Sequence, residues 1–152
     1  MRSSTALVAL HIAVALFGFA ALFGKWIALP PVAIVLVNPG IALSTPDVFK
    51  ARRGAFSAPA RFTAALPDAA DLAAALAERR NDLTLAATEL VPAIGDVLAR
   101  LAECDGALLA RMSGSGATCF ALFAEDAAAR AAAARLARAR PDWWVAPGRL
   151  GR

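Results

Sequence analysis

Histidine and cysteine are nearly missing from this chain. Of 152 residues one is a histidine, His11, and two are cysteines, Cys104 and Cys119. A Ser-His-Asp triad or a histidine-based metal site has almost nothing to be built from. The cysteine spacing fits no zinc pattern, so two buried free thiols in a reducing compartment is the plain reading, and no metal site or catalytic residue is expected. Runs of like charge are also missing. The net charge is +4 and the sequence pI about 10.0, but the basic residues, mostly arginine, are scattered. Such a balance permits a nucleic acid, a membrane surface or a phosphorylated metabolite as partner and selects none of them. The strands read below lack the exposed aromatic pairs that stack bases, so no nucleic acid is expected. No internal repeat is present.

What the chain does contain falls into two unlike parts. "TALVALHIAVALFGFAALFG", Thr5 to Gly24, is apolar except for Thr5 and His11. About 20 such residues in a helix span the hydrocarbon core of a bilayer. Arg2 precedes the run, Lys25 and Trp26 follow it as interface residues do, and Pro30-Pro31 stop any helix. A secretory signal peptide is the competing reading, but no small-residue cleavage site follows. Residues 1–31 are therefore expected to form a transmembrane helix, with membrane association through residues 5–24. His11 is read as a tolerated residue near the helix end rather than a functional one. "FGFAALFGKW" in this segment resembles the first helix of a drug/metabolite transporter-family protein, yet no second stretch is long and apolar enough to span.

From residue 32 the pattern is α+β. "VAIVLV", 32–37, is a β-branched run closed by the turn Asn38-Pro39-Gly40. In "STPDVFKAR", Ser44 and Asp47 have capping-box spacing and Pro46 suits a first helical turn. Residues 53–67 read as a loop. Helices are expected from about Asp68 to Arg80 with Leu72 and Leu76 on one face, then after Asn81-Asp82 with Leu83 and Leu90. A third follows from Pro92 with the stripe Ile94, Val97, Leu98 and Leu101. "ALLARM" (107–112) and "TCFALF" (118–123) read as strands, "EDAAARAAAARLARAR" (125–140) as a helix and "DWWVAP" (142–147) as a last strand. The order predicts about four mostly antiparallel strands with helices on one face, close to the split βαβ arrangement.

Between the two middle strands stands the one glycine-serine cluster, Ser113, Gly114, Ser115, Gly116 and Ala117. Glycine leaves backbone amides free to face one anion, and the serine hydroxyls add donors. Taken alone, the segment reads more simply as a hairpin turn. It is no Walker loop, since no Gly-Lys-Ser/Thr follows.

Three blocks in order, "LVNPGIALSTPDVFKAR" (36–52), "RNDL" (80–83) and "RMSGSGATCFALF" (111–123), resemble the 4-diphosphocytidyl-2-C-methyl-D-erythritol kinase family. That family lies in the superfamily of galactokinase, homoserine, mevalonate and phosphomevalonate kinases. The resemblance covers about residues 33–152 and implies a ferredoxin-like C-terminal domain of such a kinase over 32–152. It implies that Ser113 to Ala117 is the phosphate-side glycine-rich loop. It also implies that Phe49 stacks on the cytosine of a cytidylated sugar-alcohol phosphate, with Thr45 and Pro46 shaping the pocket wall. Without the resemblance, Phe49 reads equally well as a core residue of a short helix. ATP and magnesium are the implied cofactors. Yet nothing in residues 1–110 matches the family's early lysine, long ATP loop or catalytic aspartate. The expectation is a truncated kinase of isoprenoid precursor synthesis, inactive alone and cytoplasmic in its kinase-like part. The alternative is a membrane-tethered, non-catalytic binding domain. The two resemblances meet near Val32 to Leu36, which fits a recombined or fragmentary reading frame.

Overall fold

The computed structural model describes residues 31–62 and 66–151. The apolar run Thr5–Gly24, and with it the expected transmembrane helix, lies outside the described residues. Among the described residues no helix is long and apolar enough to cross a membrane.

The first strand, β1 (Val32–Asn38), is the organising element. It lies in the sheet interior between β3 (Cys119–Phe123) and β4 (Trp144–Leu150), and β2 (Ala107–Met112) closes the far edge, giving the order β2-β3-β1-β4. Every pairing is antiparallel: Val35 faces Ala121 on one side and Pro147 on the other. A strand covered on both faces has to be apolar throughout rather than alternating. In β1, Ala33, Val35 and Val37 feed one buried cluster, and Val32 and Ile34 feed a second.

Among the described residues five helices cover this sheet: α1 (Thr45–Ala51), α2 (Ala69–Ala77), α3 (Thr84–Leu90), α4 (Ala93–Ala102) and α5 (Asp126–Ala139). The expected α+β architecture with four antiparallel strands is present. Four helices belong to the Ala33–Val35–Val37 side. From α4 come Ile94, Val97 and Leu101, and from α5 Ala129, Ala132, Ala133 and Leu136. The alanines of α5 bury little area each, but they let the helix lie close to the strands. One detail differs from the expected single layer: α2 packs on the opposite face. There Ala69 and Leu72 join Val32, Ile34 and Leu122. The second apolar side of β1 demands such a cover.

Element boundaries moved where tertiary contacts intervened. The expected helix from Asp68 keeps its start, with Asp68 Oδ1 accepting from the Asp71 amide at 2.8 Å. It ends at Ala77 rather than Arg80. There the Arg79 guanidinium folds back on the carbonyl of Ala75 and lies 4.4 Å from the Phe62 ring, while Arg111 donates to the Leu76 carbonyl at 2.6 Å. These cations satisfy carbonyls that a helix end leaves open. The last strand runs past Pro147 to Leu150, which an edge strand tolerates because an outward-facing nitrogen needs no hydrogen. It starts at Trp144, because Trp143 turns inward and is only 6 % exposed. Ser44 is the N-cap of α1, but its side chain makes no capping bond, and Asp47 pairs with Lys50 at 3.8 Å instead. Of the two leucines assigned to α3, Leu83 is buried beside the helix start and Leu90 is exposed.

Candidate functional site

The β2–β3 connection is a tight turn. The Ser113 amide donates to the Thr118 carbonyl at 2.9 Å, and the Gly116 amide donates to the Ser113 carbonyl at 3.0 Å. Both glycines have positive φ, +54° at Gly114 and +90° at Gly116. Their surroundings differ. A Cβ on Gly114 would meet nothing within 4 Å. One on Gly116 would lie 3.0 Å from Met112 Sδ and 3.2 Å from both Ile94 Cδ1 and Leu43 Cδ2. Gly114 is therefore the exposed crest of the loop, and Gly116 is the point where it dives onto the core. Ala117 and Thr118 follow it inward and are buried.

Three side chains from other parts of the chain hold this turn. Asn38, at the end of β1, donates from Nδ2 to Thr118 Oγ1 at 2.9 Å and accepts from the Gly40 amide at 2.8 Å. The turn Asn38-Pro39-Gly40 is thereby fixed beside the hairpin. Thr45 Oγ1 and Ser115 Oγ share a hydrogen bond of 2.7 Å across 70 residues of sequence. Asn81 donates from Nδ2 to the carbonyls of Met112 (3.1 Å) and Gly114 (2.7 Å).

The sequence-based site residues thus fall into one neighbourhood in part. Thr45 reaches the loop directly. Phe49 stands one helical turn further along α1, on the same face, since positions four apart are neighbours on a helix. It is 51 % exposed while the adjacent Val48 is fully buried, so Phe49 is not the core residue that the bare sequence equally allowed. Pro46 is exposed in the first turn of α1. Ala117 belongs to the core rather than to the open side of the loop. Asn81 and Asn38 were not among the expected site residues. The signal for them was faint: an asparagine between two helical patterns, and an asparagine in a turn.

The electrostatics of the neighbourhood are mild. Arg111, the arginine adjacent to the loop in sequence, is spent on the end of α2. The Cys119 thiol, sealed beneath the loop, is pushed up to about 12 by burial, so it is no nucleophile at neutral pH. Asp82, next to Asn81, is held below the ordinary aspartate value because its carboxylate accepts from the Ser57 amide and hydroxyl, both at 2.7 Å, and from Arg80. A shallow groove between Ser57–Ala60 and Ala77–Arg80 does not include the loop. Among the described residues no group of three His, Cys, Asp or Glu side chains could hold a metal ion. The arrangement can present backbone amides and hydroxyls to an anion and a ring to a flat ligand. No described residue beside the loop is placed as an acid or base.

Comparison with known proteins gives this geometry its context. The family model for the GHMP kinases C terminal matches residues 62–142. The 4-diphosphocytidyl-2-C-methyl-D-erythritol kinase of Paramagnetospirillum magneticum is 59 % identical over 122 residues, 80 % of this chain and 43 % of that protein. The kinase of the same name from Cereibacter sphaeroides is 52 % identical over 127 residues, 80 % of this chain and 44 % of that protein. A crystal structure of 4-(cytidine 5'-diphospho)-2C-methyl-D-erythritol kinase superposes with a TM-score of 0.59 at 35 % identity, covering 83 % of this chain and 45 % of that one. The chain spans less than half the length of these relatives. On the matched span and the fold together, this chain belongs to the GHMP kinase family, of which it carries the C-terminal domain.

Proposed function

We propose that this chain carries one wall of the substrate site of a 4-diphosphocytidyl-2-C-methyl-D-erythritol kinase. The Thr45–Ser115 hydrogen bond carries the reading, because it joins the segment bearing Phe49 to the glycine-rich loop. On that surface Phe49 offers its exposed face to the cytosine ring, Thr45 and Pro46 border the pocket, and Ser113 to Gly116 lie beside a phosphate. An exposed aromatic suits a flat base, and open glycine amides suit an anion.

The fit to the family's cofactors is partial. The open Gly114 crest and the amides of Gly114 and Ser115 are what this wall could offer a phosphate of ATP. Among the described residues no group of three His, Cys, Asp or Glu side chains could hold magnesium, and the sequence of residues 32–110 carries no match to the family's ATP loop or catalytic aspartate. Phosphoryl transfer is mostly positioning and charge neutralisation, so half of a site does not perform it. The full chain with ATP, magnesium and the cytidylated substrate is expected to show no turnover. Residues 32–152 put in place of the matching span of the Paramagnetospirillum kinase are expected to give an active chimera. A folded chimera that binds no substrate would overturn the reading.

The cytoplasmic placement of the kinase-like part rests on its resemblance to the 4-diphosphocytidyl-2-C-methyl-D-erythritol kinases. Membrane association through residues 5–24 rests on their length and apolarity. Fractionation should place the full chain in the membrane pellet and a chain starting at Val32 in the supernatant. A soluble full chain would remove the anchor.

A further inference from the structure

We infer that Asn81 is a positioning residue that aims the glycine-rich loop, an inference resting on the phosphate-side reading of that loop. A primary amide has two N–H donors and a carbonyl acceptor. All three capacities of Asn81 are in use. Nδ2 donates to the carbonyls of Met112 and Gly114, and Oδ1 accepts from the Leu83 amide at 3.0 Å. The side chain is thus anchored to the start of α3 and grips the loop on both sides of Ser113.

The grip has a directional consequence. In a planar trans peptide the C=O and N–H point opposite ways. The Met112 carbonyl turns toward Asn81, and the amide of the same peptide unit, on Ser113, points across the hairpin to Thr118. The Gly114 carbonyl also turns toward Asn81, so the Ser115 amide of that peptide unit points away from it. Among the described residues the Gly114 and Ser115 amides donate to no acceptor. The loop's own Gly116–Ser113 bond closes the turn but does not fix the tilt of its central Gly114–Ser115 peptide, because a glycine meets little steric barrier to either orientation. Asn81 removes that freedom and leaves the Ser115 amide as an anion donor.

The test separates this role from simple helix capping. Asn81→Asp keeps an acceptor for the Leu83 amide and loses both donors, whereas Asn81→Ala loses everything. Amide exchange and 15N shifts are read on the full-length variants, with inorganic pyrophosphate as the anion probe. In N81D the Ser113 and Gly116 amides should exchange on the order of tenfold faster while Ala87 and Val91 in and after α3 keep their protection. Pyrophosphate should shift the Ser115 amide in the wild-type chain and not in N81D. Lowering the pH should restore part of the wild-type Ser115 shift in N81D, since a protonated carboxyl regains one donor. If N81D does not fold, Asn81→Ser, which keeps one donor, carries the same comparison. A loop undisturbed in N81D, with only N81A loosening α3, would make Asn81 a cap alone and overturn the inference. Faster loop exchange in N81D with no pyrophosphate response in the wild-type chain would instead overturn the phosphate-side reading, and the anion role with it.

Discussion

Replacing Gly116 by alanine should be far more damaging than the same change at Gly114, two residues away. Both positions have positive φ. A Cβ in left-handed backbone costs about 1–2 kcal/mol, and each glycine incurs that term. At Gly114 the cost stops there, since nothing lies within 4 Å. At Gly116 the new methyl would press on Met112 Sδ at 3.0 Å and on Ile94 and Leu43 at 3.2 Å. Met112 is 3 % exposed and Ile94 is wholly buried, so neither can swing away. Overpacking of this kind adds about 1–3 kcal/mol. The sum at Gly116 is about 2–5 kcal/mol, a large part of the roughly 5–15 kcal/mol that holds a domain together. Urea unfolding of the full chain, followed by circular dichroism, measures the series. The order expected is Gly116→Ala, then Gly114→Ala, then Ser113→Ala and Ser115→Ala. The serines come last because their hydroxyls are only partly buried. Equal losses at the two glycines would refute the crowding argument. A larger loss at Ser113 than at Gly114 would make the Ser113 hydroxyl structural rather than free to face a ligand, and a larger loss at Ser115 would make its bond to Thr45 a main support of the turn.

Three further outcomes follow from the packing and charges. Leu101→Ala should cost about 2–5 kcal/mol in the same melt, because it empties a fully buried position under α4. Cys119 holds its proton more tightly folded than unfolded, so its contribution is complete below about pH 8.5 and is lost as pH rises toward about 12. Alkaline unfolding should therefore steepen above pH 9 and flatten in Cys119→Ala, and the thiol should resist alkylation at pH 8 until the chain unfolds. Asp82 has the opposite sign: its carboxyl is depressed, so its grip on Ser57 is intact at neutral pH and is lost only as pH falls through that depressed value, below the ordinary 3.8. Asp82→Asn should speed tryptic cleavage at Arg52, Arg53 and Arg61 at pH 7 relative to the wild-type chain.

Much of the architecture was legible in the sequence because it is written in period. "VAIVLV" announces a strand, and Ile94, Val97 and Leu101 recur on one helical face; each stands where its pattern puts it. What sequence could not show came from contacts between distant segments. The end of α2 is set by Arg79 and Arg111, the second from 35 residues away. The cover on the second sheet face follows from where α2 lands, which no local pattern encodes. At the site, the resemblance marked the glycine loop and the Thr45–Phe49 segment, but only the folded chain shows Thr45 meeting Ser115. Asn81 lay inside a block already noticed as "RNDL", yet its grip on two carbonyls is a property of geometry alone.

The central claim is that Phe49 and the loop form one substrate-binding wall, and the steady-state kinetics of the chimeric kinase test it most directly. Phe49→Ala in the chimera should raise KM for the cytidylated substrate on the order of tenfold or more, the worth of one base–aromatic stack, with kcat little changed. Phe49→Trp should keep most of the affinity. A chimera whose KM is indifferent to Phe49→Ala would contradict the account.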